Sequence, residues 1–139
     1  MPGIYGFLDD LNQDINQKLL DDMAAALDPG LTAHNESNLE PGFGFGRTSL
    51  GIVNTEPQPI WNDDRTICVV LEGELYNTQS LVNEMSASDH ELLSGNPAEL
   101  ILCLYREYGE AFAERLNGAF VAAIWNATEK RLLLVNDRM

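Results

Sequence analysis

The stretch TICVVLEGELYN, Thr66 to Asn77, constrains the fold more than any other part of the chain. Its β-branched and apolar density is that of a buried strand, which needs neighbours on its edges and cover on its faces. Further on, AFVAAIWN and RLLLVND flank the polar ATEK and read as two strands joined by a short hairpin loop. Between these strand regions, NPAELILCLYREYGEAFAERL carries Leu100, Ile101, Leu104 and Tyr108 at helical spacing. Asn96 suits the N-cap of that helix, Pro97 its first turn and Glu99 its third position, where a carboxylate can reach back to unpaired backbone donors. Gly109 weakens or ends the helix, and Phe112 and Leu116 continue its apolar face.

The amino-terminal half is organised differently. MPGIYGF is a short apolar strand, punctuated by glycine, that starts at the first residue. Leu8, Leu11, Ile15, Leu19, Met23 and Leu27 then recur at spacings of three and four, one apolar stripe on a helix stopped by Pro29 and Gly30. From Thr32 to Gly51 the chain turns polar and then glycine-rich. Within it, EPGFGFGRTSLG lacks both the Lys-Ser/Thr ending of a phosphate-binding loop and the spacing of a dinucleotide loop, and is expected to be a flexible loop. Strand, helix, strands, helix and hairpin imply α+β layers, without internal repeats or low-complexity tracts.

A chain of 139 residues supports one core rather than two. Its 8 basic and 22 acidic residues give a net charge of -14, which repels phosphate backbones and anionic membrane surfaces. Nucleic acid and membrane are therefore excluded as expected partners. The cysteines, Cys68 and Cys103, form no C-x-x-C pair and stand apart in sequence from His34 and His90, so neither a metal site nor a disulfide framework is expected. No signal peptide or apolar span is present, which predicts a cytoplasmic protein with reduced thiols, its Asn126 sequon unused. Cys68 and Cys103 read as small core hydrophobes, and Tyr105, Tyr108, Trp61 and Trp125 as packing residues. His90, in SASDHE, falls in a segment expected to be an exposed loop.

Several stretches, taken in order, resemble one family: the amino-terminal glutaminase domain of asparagine synthetases, among the class II glutamine amidotransferases of the N-terminal-nucleophile fold. GIYGF at Gly3 to Phe7 is similar to the family's opening Cys-Gly-Ile-x-Gly strand. SLGIVN with Gln58-Pro59 resembles its Arg-Leu-Ser-Ile-x-Asp and the following Gln-Pro, and LEGELYN resembles Asn-Gly-Glu-Ile-Tyr-Asn. The run LYREYGEAFAERLNGAFVAAIWNATEKRLLLVNDRM is similar to the family's helix, its Leu-x-Gly-x-Phe-Ala-x-Ala-Ile-Trp strand and its Asp-Arg ending. The resemblance implies an αββα four-layer sandwich in which two antiparallel sheets face each other. It also implies that residues 1–139 form a glutamine amidotransferase type 2 unit lacking the family's last strands and its synthetase domain.

In that family the residue after the initiator Met is a cysteine, whose thiol attacks the glutamine side-chain amide with its own α-amine as base. Pro2 stands there in this chain and has no nucleophilic side chain. The arginine that pairs with the glutamine α-carboxylate matches Ser49, with Arg47 two residues, about 6–7 Å, away along a strand. The asparagine of the oxyanion hole matches Glu72, which only accepts hydrogen bonds when ionised, although Gly73 keeps one backbone donor. The aspartate that holds the α-ammonium matches Pro97, with Glu99 two residues further into the helix.

The resemblance thus implies a glutaminase-like domain without glutaminase chemistry, needing no cofactor, that serves a synthetase-like partner subunit or a homo-oligomer. A module that binds small amines or amino acids in the altered pocket is a second class of function. An enzyme that uses the Pro2 amine, freed by removal of Met1, is a third.

Overall fold

The computed structural model describes residues 2–9, 12–28, 30, 33–87 and 95–138. Its most informative departure from the sequence reading lies in the glycine-rich segment, which is not a loop. His34–Glu40 (β2) and Phe43–Ser49 (β3) form an antiparallel hairpin turning at residues 41 and 42. Gly3–Leu8 (β1) pairs with the other edge of β3. The register supplies the physical reason: Tyr5 lies opposite Gly46, Gly6 opposite Phe45 and Phe7 opposite Gly44. Each glycine faces an aromatic ring that covers it, and a Cβ on Gly44 or Gly46 would stand 2.9 or 2.5 Å from that ring. Aromatic cover of strand glycines replaces the packing they lack. All seven residues of β3, the central strand of the order β1-β3-β2, are buried.

Gln13–Leu27 (α1) covers the outer face of this sheet. Asn12 caps it by accepting from the Asp14 N–H at 2.9 Å. The helix rests on Asn16, Leu20 and Ala24, with Leu19, Met23 and Leu27 half-buried at its shoulder and Ile15 55% exposed. The expected stripe was therefore displaced by one position. Leu8 belongs to β1, and the bare backbone at Gly44 lets Leu20 approach, its Cδ1 being 3.3 Å from where a Gly44 Cβ would sit. Leu11 and Pro29 lie outside the described residues.

The second sheet contains Ile60–Trp61 (β4), Ile67–Leu75 (β5), Gly118–Asn126 (β6) and Arg131–Asn136 (β7), antiparallel in the order β4-β5-β6-β7. Thr78–Ala87 (α2) and Pro97–Tyr108 (α3) cover its outer face. α2 was not foreseen. As expected, Asn96 caps α3 by accepting from the Ala98 N–H at 2.9 Å, and Gly109 ends it with φ of 57°. Gly109–Arg115 continues as a 3₁₀ segment that buries Phe112 edge-on against Tyr105, their ring centroids 5.9 Å apart.

The result is the expected α+β arrangement of four layers, helix, sheet, sheet and helices. The main core lies between the second sheet and α2/α3, where Val69, Leu71, Ile101, Leu104 and Ile124 are essentially inaccessible. A smaller core joins the sheets: Phe43, Phe45 and Cys68, with Trp61 and Trp125 against them. Phe43 anchors it, 5.5 Å from Trp125 and 5.8 Å from Trp61 between ring centroids. The packing expected of both tryptophans and of Cys68 is found there, and Cys103 is half-buried beside the main core. His90 lies outside the described residues.

Candidate functional site

Strand alternation carries the inter-sheet face of β3 from Phe43 and Phe45 on to Arg47 and Ser49, and that of β5 from Cys68 on to Glu72. An aromatic seal at one end of the sandwich thus gives way to a polar chamber at the other. Pro2 precedes Gly3, the partner of Thr48, so the ladder brings it level with Ser49.

Arg47 organises this end. Although only 1% exposed, it donates through Nε to Glu36 Oε2 at 2.6 Å, through Nη1 to Asn54 O at 2.7 Å and Leu71 O at 3.4 Å, and through Nη2 to Glu56 O at 2.8 Å. Nη2 also lies 2.6 Å from Glu36 Oε2. The guanidinium fork has an acceptor in every direction. Its office is to clamp the segment between β3 and β4 onto both sheets, and no donor is left for an added carboxylate.

Three further contacts hold the same segment. Gln58 Oε1 accepts from Leu71 N at 2.6 Å, Asn96 Nδ2 donates to Pro57 O at 3.0 Å, and Asn54 Nδ2 donates to Gly73 O at 3.2 Å. The Gln58-Pro59 peptide is cis. Glu36, Asn54, Gln58 and Asn96 escaped the sequence reading as site residues. Of these, Asn54 and Gln58 fell within the SLGIVN and Gln-Pro stretches that resemble the family, Asn96 carried a local signal in its position before Pro97, and Glu36 carried none.

Glu72 is buried, and its Oε2 finds no hydrogen-bond donor, the nearest cationic atom being Arg47 Nη1 at 3.8 Å. Burial pushes its carboxyl above the ordinary value; Arg47 opposes that shift and the charge of Glu36 adds to it. Next to it Gly73 holds φ at 104°, where a Cβ would stand 2.2 Å from Ala119 O. Ser49 Oγ accepts from Gly51 N at 3.1 Å, which fastens the start of the clamped segment.

Two open recesses flank the chamber. One, about 260 Å³, is lined by His34, Asn35, Glu36, Arg47, Ser49, Gly51 and Thr55. The other, also about 260 Å³, is lined by Val53, Asn54, Gly73, Glu74, Leu75, Thr78 and Pro97. The structure therefore splits the residues singled out from sequence: Arg47 and Ser49 share one recess and Gly73 and Pro97 the other, with Glu72 buried beside Arg47. Pro2 and Glu99 line neither. Glu99 stands one turn from Cys103, whose thiol is raised first by burial and then by that charge. Among the described residues no group of three or more His, Cys, Asp or Glu side chains is placed to hold a metal, and no helix is long and apolar enough to cross a membrane.

A family model described as a glutamine amidotransferase domain matches residues 1–139. The chain belongs to this family. Its relatives give the subtype: glutamine-hydrolyzing asparagine synthetase 2 of Bacillus subtilis is 38% identical over 98 residues, which is 70% of this chain and 13% of that protein. Glutamine-hydrolyzing asparagine synthetase 3 of the same organism is 30% identical over 146 residues, 100% of this chain and 24% of that protein. The Zea mays glutamine-hydrolyzing asparagine synthetase is 35% identical over 80 residues, 58% of this chain and 13% of that protein. This chain is thus a glutamine amidotransferase domain of the asparagine synthetase type, and it spans at most about a quarter of the length of these relatives.

Proposed function

We propose that residues 1–139 form a single glutaminase-like unit that does not hydrolyse glutamine and acts as a structural or interaction domain for an ATP-dependent synthetase partner. The observation that carries this reading is the state of Arg47. It is the arginine two residues along β3 from the position matched to the family's carboxylate anchor, and its N–H groups are all directed at Glu36 and at the carbonyls of Asn54, Leu71 and Glu56. Freeing it for a substrate carboxylate would release the segment it clamps.

Three further features support the reading. Pro2 offers no side-chain nucleophile. Glu72 stands buried beside Arg47 where the matched position in the family supplies an amide donor, and when ionised it only accepts hydrogen bonds and repels a developing oxyanion. Pro97 fills the first turn of α3, where the family matches an ammonium anchor. Losing one oxyanion donor alone removes about 3 kcal/mol of transition-state stabilisation, and losing the nucleophile removes the covalent route.

The test is ammonia release from glutamine by the purified chain, with the state of Met1 established by mass spectrometry. The expected result is no release above the no-protein control. Steady turnover would overturn the reading, and with Met1 removed it would direct attention to the Pro2 amine.

A further inference from the structure

The segment between β3 and β4, residues 50–59, has little apolar anchorage of its own. Leu50 and Val53 are exposed, Ile52 is 77% exposed, and Gln58 is the residue of the segment that is buried. Polar bonds hold it instead, and they converge on β5 at either side of Glu72. Leu71 N donates to Gln58 Oε1, Gly73 O accepts from Asn54 Nδ2, and Arg47 Nη1 bridges Asn54 O and Leu71 O. Glu72 therefore stands between the points at which this strap is fastened to the second sheet. Gly51 and Thr55 of the strap line one recess and Val53 and Asn54 the other, so the strap is the wall the two recesses share.

The seat is incompletely bonded. Glu72 Oε2, Asn54 Oδ1 and Gln58 Nε2 are buried atoms without a hydrogen-bond partner in the protein. Each favours an arrangement in which water reaches it.

Charge decides when that arrangement wins. Among the described residues, the charged groups facing Glu72 are Arg47 of β3, 3.8 Å away, and Glu36 of β2, which holds the same guanidinium at 2.6 Å. β6, paired with β5 along this stretch, has no titratable side chain, and α3, with Glu99 and Arg106, packs on the opposite face of β5. Tyr5 of β1 is turned toward Ser37 and Asp21. Glu56 is half-buried in the strap, and Glu74 and His34 are exposed at the rims of the recesses.

With a proton on Glu72, the trio of Glu36, Arg47 and Glu72 is neutral. Without it, one guanidinium stands between two carboxylates, and the two hydrogens of Nη1 face three acceptors: Asn54 O, Leu71 O and Glu72 Oε2. The carboxylate is the strongest of these and Leu71 O, at 3.4 Å, the weakest, so the bridge from strap to β5 is the bond given up. The buried trio is then left with a net negative charge, which admitting water relieves. The strap is the part of the cover that lacks apolar packing, and it yields first.

We propose that residues 50–59 are a proton-operated strap, seated on β5 while Glu72 is protonated and lifted when Glu72 ionises, so that the two recesses become one. Burial raises the Glu72 carboxyl above its ordinary value, which moves the opening toward neutral pH. The strap goes beyond the loss of glutaminase chemistry, and its test does not read ammonia.

Hydrogen exchange, corrected for its intrinsic pH dependence, supplies that test. Between about pH 4 and pH 7 the amides of Leu71 and Gln58, whose acceptors are Gln58 Oε1 and Glu36 Oε1, should lose protection about tenfold. Those of Ala122 and Ile124, within the ladder of β6, should change less. Glu72→Gln keeps the shape without the titration and should hold the low-pH protection across the whole range. In the parent chain, the Glu72 carboxyl carbon and the Arg47 Nη resonances should shift with a common midpoint. Protection at Leu71 and Gln58 that is independent of pH, that falls equally in Glu72→Gln, or that falls in step with Ala122 and Ile124 overturns the proposal. So does a Glu72 carboxyl that titrates while the Arg47 resonances stay fixed.

Discussion

Replacing Arg47 by Met tests whether this guanidinium is a structural clamp. The substitution keeps most of the buried stem and removes the fork, leaving three carbonyls, those of Asn54, Leu71 and Glu56, without the donor they face. Glu36 loses its partner but its side chain is 27% exposed, so water recovers part of that loss. Glu72, 3.8 Å from Nη1, loses the cation that offsets its burial. Removing one member of a buried, hydrogen-bonded ion pair takes about 3–5 kcal/mol, and the partial exposure of Glu36 places this case near the lower end, at about 3–4 kcal/mol. With a urea m-value of about 2 kcal/mol per molar, the midpoint should fall by roughly 2 M. Trp61 and Trp125, in the neighbouring aromatic core, report the transition by fluorescence. Arg47→Lys keeps the charge without the fork and should recover less than half of the loss, since one ammonium cannot reach Glu36 and carbonyls from both sheets together. Glu36→Gln combined with Arg47→Met should cost less than the sum of the two changes. A loss below about 1 kcal/mol for Arg47→Met, or a lysine variant as stable as the parent, would refute the clamp and with it the claim that Arg47 is unavailable to a ligand.

Four other outcomes follow from the same geometry. Because burial raises the Glu72 carboxyl, the fold favours its neutral form more than the unfolded chain does: the stability tied to it is fully present below the ordinary carboxylate pKa and is lost as pH rises through the raised value. Glu72→Gln should therefore gain on the parent between about pH 4 and pH 7 in urea midpoints, and a pH-independent difference would count against the assignment. Gly73→Ala should destabilise by more than about 2 kcal/mol or prevent folding, because its Cβ would meet Ala119 O at 2.2 Å with φ at 104°; a near-native melting temperature would contradict the strand spacing. Burial pushes the Cys68 thiol up to about 12, so iodoacetamide at neutral pH should leave it unlabelled in the folded chain and modify it in urea, as read by peptide mass. Pro2→Cys with Met1 confirmed removed should still release no ammonia at enzymatic rates, whereas Pro2→Cys, Ser49→Arg, Glu72→Asn and Pro97→Asp together have the better prospect; activity in the single variant would show the pocket to be intact.

The elements legible in the sequence are those whose signals are local. Asn96, Pro97 and Gly109 mark the ends of α3 within a single stretch of chain, and the turn between β6 and β7 is bounded by apolar runs that need no distant partner to be recognised. The β2–β3 hairpin was hidden because its logic is not local: Gly44 and Gly46 look like loop residues until Phe7 and Tyr5, some forty positions earlier, are laid across them. α2 buries only Leu81 and Met85 among polar neighbours, too thin a stripe to stand out. At the site, the nearness of Arg47 to Ser49 was readable but its engagement was not, since three of its acceptors are main-chain carbonyls that no side-chain pattern announces.

The positions on which the proposed loss of glutaminase chemistry turns are not equivalent in stability. Pro97 suits the first turn of α3, where a missing N–H forfeits no helix bond, and Ser49 fastens the next turn through Gly51 N. Both residues serve the framework where they stand. Glu72 does the opposite: its Oε2 is buried without a donor, next to a guanidinium whose hydrogen bonds go elsewhere. An apolar residue or an amide there would avoid that penalty. Packing therefore accounts for the first two residues and not for the third.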